Sequence, residues 1–236
     1  VVLYGNVYDE ACAYAYELAE KEGYTFIHPF DDEQVIAGQG TIGLELLDQL
    51  PDLDAVIVPI GGGGLISGVA FAIKSLNPKV KVYGVQASGA PSMLHSVEHH
   101  QIKRLGAVST IADGIAVKEP GEHTFDLVSH YVDQIVTVTD DEISTAILAL
   151  IEQQKLIAEG AGAVSVAAAL FHKVPVKGKK VVCLVSGGNI DVTILSRVIK
   201  RGLLMSGRSC TMNIELLDKP GQLKGVSKII ADMGAN

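Results

Sequence analysis

Gly61-Gly62-Gly63-Gly64-Leu65-Ile66-Ser67-Gly68 follows directly on the apolar run Ala55-Val56-Ile57-Val58-Pro59-Ile60. Four successive glycines cost conformational entropy on folding and bring no side chain to pack. What they supply is bare backbone N–H. Leu65, Val69, Ala72, Ile73 and Leu76 keep a helical spacing, so a strand ends, the glycines turn and a helix begins. N–H groups gathered at a helix N-terminus make an anion site, and the usual guest is a phosphate. The alternative is a tight turn that only lets two elements pack closely. Ser186-Gly187-Gly188-Asn189 follows the apolar run 181–185 in the same way.

Two nucleotide patterns fail on inspection. The Walker pattern needs a lysine after its last glycine, and the first lysine beyond this run is Lys74. The dinucleotide pattern Gly-x-Gly-x-x-Gly meets Ile66 or Ser67 where its last glycine belongs, or Leu65 where its second does. The turn reads as a phosphate cup for something other than a nucleotide held in either way.

The elements that must position these turns alternate. Residues 1–4 read as a strand and 9–22 as a helix capped by Asp9 and closed by Gly23. Phe26-Ile27 reads as a short strand, and 32–50 as a helix broken near Gly38, Gly40 and Gly43. Strands are expected at 55–60, 80–86, 135–138 and 181–185, with helices at 65–76, 140–159 (capped by Thr139 or Asp140), 161–171 and from 190 to about 200. Val/Ile runs between helices predict an α/β fold with a mostly parallel sheet covered on both faces. Such sheets bind ligands at the carboxyl ends of their strands. Both glycine turns sit there, so they are expected to converge on one ligand.

Composition narrows the function. The chain has 236 residues, 48% hydrophobic and 19% charged, with a net charge of −8. That describes a large buried core and excludes disorder. The acidic balance, with no basic cluster beyond Lys177-Lys179-Lys180 and Lys200-Arg201, argues against nucleic acid as a partner. No apolar stretch is long enough for a membrane span. Cys12, Cys183 and Cys210 are too scattered for a disulfide framework or a Cys-x-x-Cys site, so a reducing, cytoplasmic setting is expected. Beyond Gly207 the character changes. Residues 211–217 alternate like a strand, Asp218-Lys219-Pro220-Gly221 turns, and 222–233 reads as an amphipathic helix with Leu223, Val226, Ile229 and Ile230 inward. Both ends of the chain read as cut.

The two turns, with Phe30-Asp31-Asp32 to Gln39-Gly40-Thr41, Thr110-Ile111-Ala112-Asp113-Gly114 and Glu159-Gly160-Ala161-Gly162-Ala163, resemble the fold-type II pyridoxal-phosphate enzymes. Within them the set is most similar to threonine ammonia-lyases (threonine dehydratases), with serine racemases as cousins. Residues 217–223 resemble the start of an ACT domain, a small-molecule sensor. The resemblance implies three units: 1–30 as a remnant of a small cofactor subdomain, 31–205 as the large cofactor-binding domain, and 209–236 as the first β-α of the ACT domain. It implies that the backbone of Gly61, Gly62, Gly63, Gly64 and Leu65 holds the phosphate of pyridoxal 5'-phosphate. Ser186 would face the pyridine nitrogen, and Gly114 would line the pocket. Ser186 as a plain helix N-cap stays open, as does Asn189 as either a shaper of the turn or a simple Asx-turn.

Departures matter as much. The Schiff-base lysine of the family's Ser-Phe-Lys-x-Arg-Gly segment is absent and is expected upstream of Val1, so no catalytic residue is assigned here. Lys200-Arg201-Gly202 is a faint echo, with Lys200 read as a solvated helix-end charge. The cofactor is therefore expected to be non-covalent or absent in this piece. Where serine racemases carry a divalent-metal segment, this chain has Gln86 and Ser92 in place of both carboxylates, so no metal is assigned. Neutral oxygens near Ala90 could hold at most a weak monovalent cation. Asp54 alone reads as a solvated loop charge. His95, His99 and His100 read as a polar surface helix rather than a site, and His123 and His130 add no metal or acid–base pattern. The expected function is deamination of L-threonine, and of L-serine, by β-elimination of water, with an effector at the ACT domain and a homo-oligomeric state. Two alternatives remain: a racemase or β-replacement synthase of the same fold, and a non-catalytic module that binds a phosphate-bearing ligand.

Overall fold

The computed structural model describes residues 1–5 and 8–235. Its centre is a sheet of four parallel strands, β1 (Ala55–Pro59), β2 (Lys81–Ala87), β3 (Gln134–Val138) and β4 (Val181–Cys183), in the order β3-β2-β1-β4. The helices are α1 (Tyr8–Glu22), α2 (Glu33–Gln49), α3 (Gly64–Leu76), α4 (Ser92–Glu98), α5 (Glu122–Tyr131), α6 (Asp140–Ala149), α7 (Gly160–Leu170), α8 (Val192–Met205) and α9 (Gln222–Asp232).

Every residue of β1 is buried, as expected of a strand covered on both faces. The pleat sends Ala55 and Ile57 into a core shared with Ile143, Ile147, Val164 and Ala167 of α6 and α7. Val56 and Val58 face the opposite way, onto Ile66, Val69 and Ile73 of α3. The two-faced α/β sheet expected from the Val/Ile runs is what forms.

Helix α2 is unbroken, contrary to the expected interruption. Asp32 caps it, its carboxylate accepting from Gln34 N at 2.9 Å and Val35 N at 3.0 Å. Its glycines serve packing instead. A Cβ on Gly68 of α3 would collide with the Ile36 carbonyl and stand 2.6 Å from Gly40 N, and one on Gly43 would stand 2.9 Å from the Val69 carbonyl. The two helices touch backbone to backbone, and only hydrogen fits between them.

Other boundaries move for identifiable reasons. Thr139 caps α6 in a complete capping box with Glu142, but regular helix ends at Ala149. A π turn, Leu150–Gln154, follows, and Lys155 closes it with φ 59°. Helix α8 runs on to Met205, so exposed Lys200 lies within it rather than at its end. Helix α1 begins one residue before Asp9, whose capping role falls outside the described residues. Gly23 does close it, at φ 72°. The strands expected at 1–4, 26–27 and 211–217 do not form. A strand exists only through hydrogen bonds to a neighbour, and among the described residues none pairs with these segments. Leu3, Met212 and Ile214 are exposed, as are Leu223 and Ile229 on the face of α9 expected to point inward.

At the N-terminal edge of the sheet Asp133 ties three elements. Its carboxylate meets Lys74 Nζ at 2.6 Å and Lys81 Nζ at 2.7 Å, and accepts from Val82 N at 2.8 Å. Burial opposes ionisation of this carboxyl, but the two lysines and the Val82 N–H outweigh it and hold it below the usual carboxylate range.

This packing can be tested at two places. Gly68→Ala should lower unfolding free energy by about 1–3 kcal/mol, whereas Gly38→Ala, exposed in the same helix pair with nothing near its Cβ position, should raise it by about 0.5–1 kcal/mol; denaturant unfolding reads both. Asp133→Asn should cost about 1–3 kcal/mol at neutral pH. Because the folded pKa is depressed, that stabilisation is complete above the ordinary carboxylate pKa and lost as pH falls through the folded value. Unfolding curves of the variant and the unaltered protein should therefore converge in acid.

Candidate functional site

The chain runs from β1 to β2 to β3 in one direction across the sheet, then returns to lay β4 on the other side of β1. Strand order reverses between β1 and β4, and a crevice opens at their carboxyl ends. There lies a cavity of about 730 Å³. Gly61, Gly62, Gly63, Gly64 and Leu65 form one wall, and Leu184, Val185 and Ser186 another. The two turns do converge.

The glycine turn is built by what surrounds it. Gly63 stands at the N-cap of α3 with φ 104°, a backbone conformation that side chains resist. Gly62 lies on the ring of Phe30, where any Cβ would collide, and a Cβ on Gly64 would stand 2.8 Å from the Phe30 carbonyl. The first bond within α3 runs from Ser67 N to Gly63 O at 2.9 Å. The N–H groups ahead of it belong to a helical first turn, which has no carbonyl of its own to offer them.

Gly114 lies in a 3₁₀ turn, Asp113–Ile115, on the cavity wall, and a Cβ there would stand 3.1 Å from Ala161 Cβ. Ser186 is exposed to the cavity. It is not a helix cap, because Asp191 caps α8 by accepting from Thr193 N at 2.7 Å. Asn189 is exposed in the same loop and is not among the residues lining the cavity. Helix α7 reaches this loop closely: Glu159 N donates to Gly187 O at 3.1 Å, a Cβ on Gly162 would strike that same carbonyl, and Ser165 Oγ donates to Leu184 O at 2.7 Å. The Glu159-Gly160-Ala161-Gly162-Ala163 block is thus a set of close approaches that hold the second turn in place.

Electrostatically the lining carries Asp113 and Glu159 and, among the described residues, no lysine or arginine. Asp113 Oδ1 accepts from Gly114 N at 2.9 Å. An anion in this cavity would be met by backbone N–H and the positive end of α3, not by a cationic side chain. The fit to a phosphate is good at the glycine turn, where four Cβ atoms are missing and donors are in excess. Cys183, at the end of β4, is held as a thiol, its pKa pushed up to about 11 by burial.

Other singled-out residues lie elsewhere. Gln86 is fully buried, its Oε1 accepting from Leu94 N at 2.9 Å and its Nε2 donating to Ile60 O at 3.4 Å. Ser92 is fully buried too, and its hydroxyl has no hydrogen-bond partner among the described residues. Asp54, expected as a solvated loop charge, is exposed, and it also accepts from Lys180 N at 2.8 Å, tying the start of β1 to that of β4. His95, His99 and His100 are exposed on and just after α4.

Sequence reasoning passed over Thr124. Its hydroxyl donates to Gly62 O at 2.6 Å, and its N–H donates to Asp31 Oδ1 at 3.1 Å. A lone threonine in a polar stretch carries no signal of this. The glycine run was the only hint that something must brace it.

Comparison with known proteins agrees with this fold. The chain is 55% identical to an L-threonine ammonia-lyase of Thermotoga maritima over all 236 of its residues, and spans 59% of that relative. Among solved structures, the processed form of threonine deaminase isoform 2 from Solanum lycopersicum superposes with a TM-score of 0.82 at 44% identity, over 86% of this chain and 57% of that one. Maize serine racemase gives 0.77 at 34% identity, over 87% and 64%. The chain therefore spans somewhat under two thirds of the proteins it matches. Residues 1–187 match the family described as pyridoxal-phosphate dependent enzyme, and the chain belongs to that family.

Proposed function

We propose that this chain is the larger part of an enzyme that deaminates L-threonine, and less specifically L-serine, by β-elimination of water, giving 2-oxobutanoate or pyruvate and ammonia. The observation that carries the reading is the cavity at the strand-order reversal, with a glycine cup on one wall and Ser186 on the other. The similarity to an L-threonine ammonia-lyase over the whole chain supports the choice of reaction within the family.

In this reading the backbone N–H groups of Gly61, Gly62, Gly63, Gly64 and Leu65 bind the phosphate of pyridoxal 5'-phosphate. Bound there, the cofactor supplies an electron sink for the bonds at the amino acid's α-carbon. Ser186 places a neutral hydroxyl beside the pyridine nitrogen. A hydroxyl cannot hold that nitrogen protonated as a carboxylate would, which favours loss of a β-substituent over transamination. Phe30, Ile115 and Val117 wall the cavity with apolar surface and limit water, and the Gly114 backbone leaves room for the ring.

The covalent lysine lies, in this reading, upstream of Val1 in the whole protein; the greater length of the relatives supports this. Residues 1–30 then complete a small cofactor subdomain, 31–205 form the large one, and 209–236 open a regulatory ACT domain that takes a small-molecule effector. The whole protein is a cytoplasmic homo-oligomer. No helix among the described residues is long and apolar enough to cross a membrane. A weakly held monovalent cation at the Ala90 carbonyl would give the partnerless Ser92 hydroxyl a ligand role.

Product analysis tests the reaction. The full-length protein with pyridoxal phosphate should release 2-oxobutanoate and ammonia from L-threonine, while the 236-residue chain alone should not turn over. D-serine as the main product from L-serine would replace the lyase reading by a racemase. Full-length protein that develops no visible absorption with the cofactor would point to a non-catalytic module. Ser186→Ala should lower kcat about tenfold, the scale of one hydrogen bond, with KM little changed.

A further inference from the structure

Thr124 stands outside every motif, yet its hydroxyl engages the glycine turn directly. The side chain is fully buried at the start of α5. Its Oγ1 donates to Gly62 O at 2.6 Å; the Gly121 carbonyl lies farther off, at 3.2 Å. A hydroxyl has one hydrogen, and the shorter contact takes it.

Gly62 and Gly63 share a peptide plane in which C=O and N–H point in opposite directions. Holding the Gly62 carbonyl on Thr124 turns the Gly63 N–H away from Thr124. Gly63 lines the cavity and Thr124 does not, so the side away from Thr124 is the cavity side. A peptide flanked by two glycines has no Cβ on either side to resist rotation. Without an anchor this plane is free to flip, and a flipped plane presents a carbonyl oxygen to an anion where an N–H should be.

Thr124 is braced in its turn. The Asp31 carboxylate accepts from Glu122 N at 3.0 Å and Thr124 N at 3.1 Å, and Asp31 N donates to His28 Nδ1 at 2.9 Å. Ser67 Oγ of α3 donates to Thr124 O at 3.4 Å. A line of hydrogen bonds thus runs from His28 through Asp31 and Thr124 to Gly62, joining segments distant in sequence.

We propose that Thr124 is a positioning residue for phosphate recognition: its hydroxyl fixes the Gly62–Gly63 peptide so that the Gly63 N–H faces a bound phosphate, and Asp31 holds Thr124 in place. The proposal rests on reading the cavity as a pyridoxal-phosphate site. Thr124→Val keeps the shape and removes the donor, and Thr124→Ser keeps the donor.

The test compares the affinity of the full-length apoprotein for pyridoxal 5'-phosphate and for pyridoxal, which lacks the phosphate. Thr124→Val should weaken pyridoxal phosphate binding about tenfold or more and leave pyridoxal binding unchanged. Thr124→Ser should return it to within a few-fold of the unaltered protein, and the phosphorus resonance of the bound cofactor should shift in the valine variant and recover in the serine one. Equal weakening of both ligands, or none, would overturn the proposal. Unaltered protein that fails to prefer pyridoxal phosphate over pyridoxal would instead overturn the cavity reading, and the proposal with it. If the valine variant does not fold, the unaltered protein still decides: the Gly63 amide proton should move downfield on binding pyridoxal phosphate, and an unmoved resonance counts against the proposal.

Discussion

Strand β1 is hydrogen-bonded on one side to the strand the chain makes next and on the other to the strand it makes last. Everything at the site depends on that pairing. The polypeptide leaves β1 toward α3 on one face, and leaves β4 toward α8 on the other. The turns after these two strands must part, and the space between them is the cavity. Turn backbone therefore forms two of its walls, and the glycine turn offers N–H groups there. This explains how an acidic chain, with acidic groups and no cation in the lining among the described residues, can still present an anion site.

The glycines at the turn and those between α2 and α3 answer the same demand. Helix α3 must start beneath Phe30 and run against α2 at backbone distance, so Gly62, Gly64 and Gly68 all sit where a Cβ would strike α2 or the segment before it. Placement of α3 in turn sets the direction of its dipole and of its first N–H groups. Helix–helix packing between α2 and α3 thereby sets the geometry of the cup.

Much of this was legible in the residues. Buried Val/Ile runs announce parallel strands, and a glycine run at a strand end announces a turn with bare N–H, so the sheet, α3, α7 and the convergence of the two turns could be read directly. Glycines within α2 misled, because a glycine chosen for contact with a neighbouring helix looks like one that breaks its own. The expected strands at 1–4, 26–27 and 211–217 had the right alternation but no partner, and pairing is a property of two segments. Thr124 and Asp31 were invisible as a pair for a similar reason: their link spans 93 residues and uses a backbone N–H, which every residue has. Helix α5 went unread because it is short and its apolar stripe, Phe125, Val128, Tyr131 and Val132, is interleaved with Glu122, His123, Asp126 and His130.

The central claim is that one phosphate on one pyridine ring occupies the space between the two turns. A crystal structure of the full-length protein with pyridoxal 5'-phosphate tests it most directly. The account predicts phosphate oxygens within hydrogen-bond distance of the backbone nitrogens between Gly61 and Leu65, and the ring nitrogen facing Ser186 Oγ. A cofactor phosphate held elsewhere, or a ring nitrogen directed away from Ser186, would contradict it.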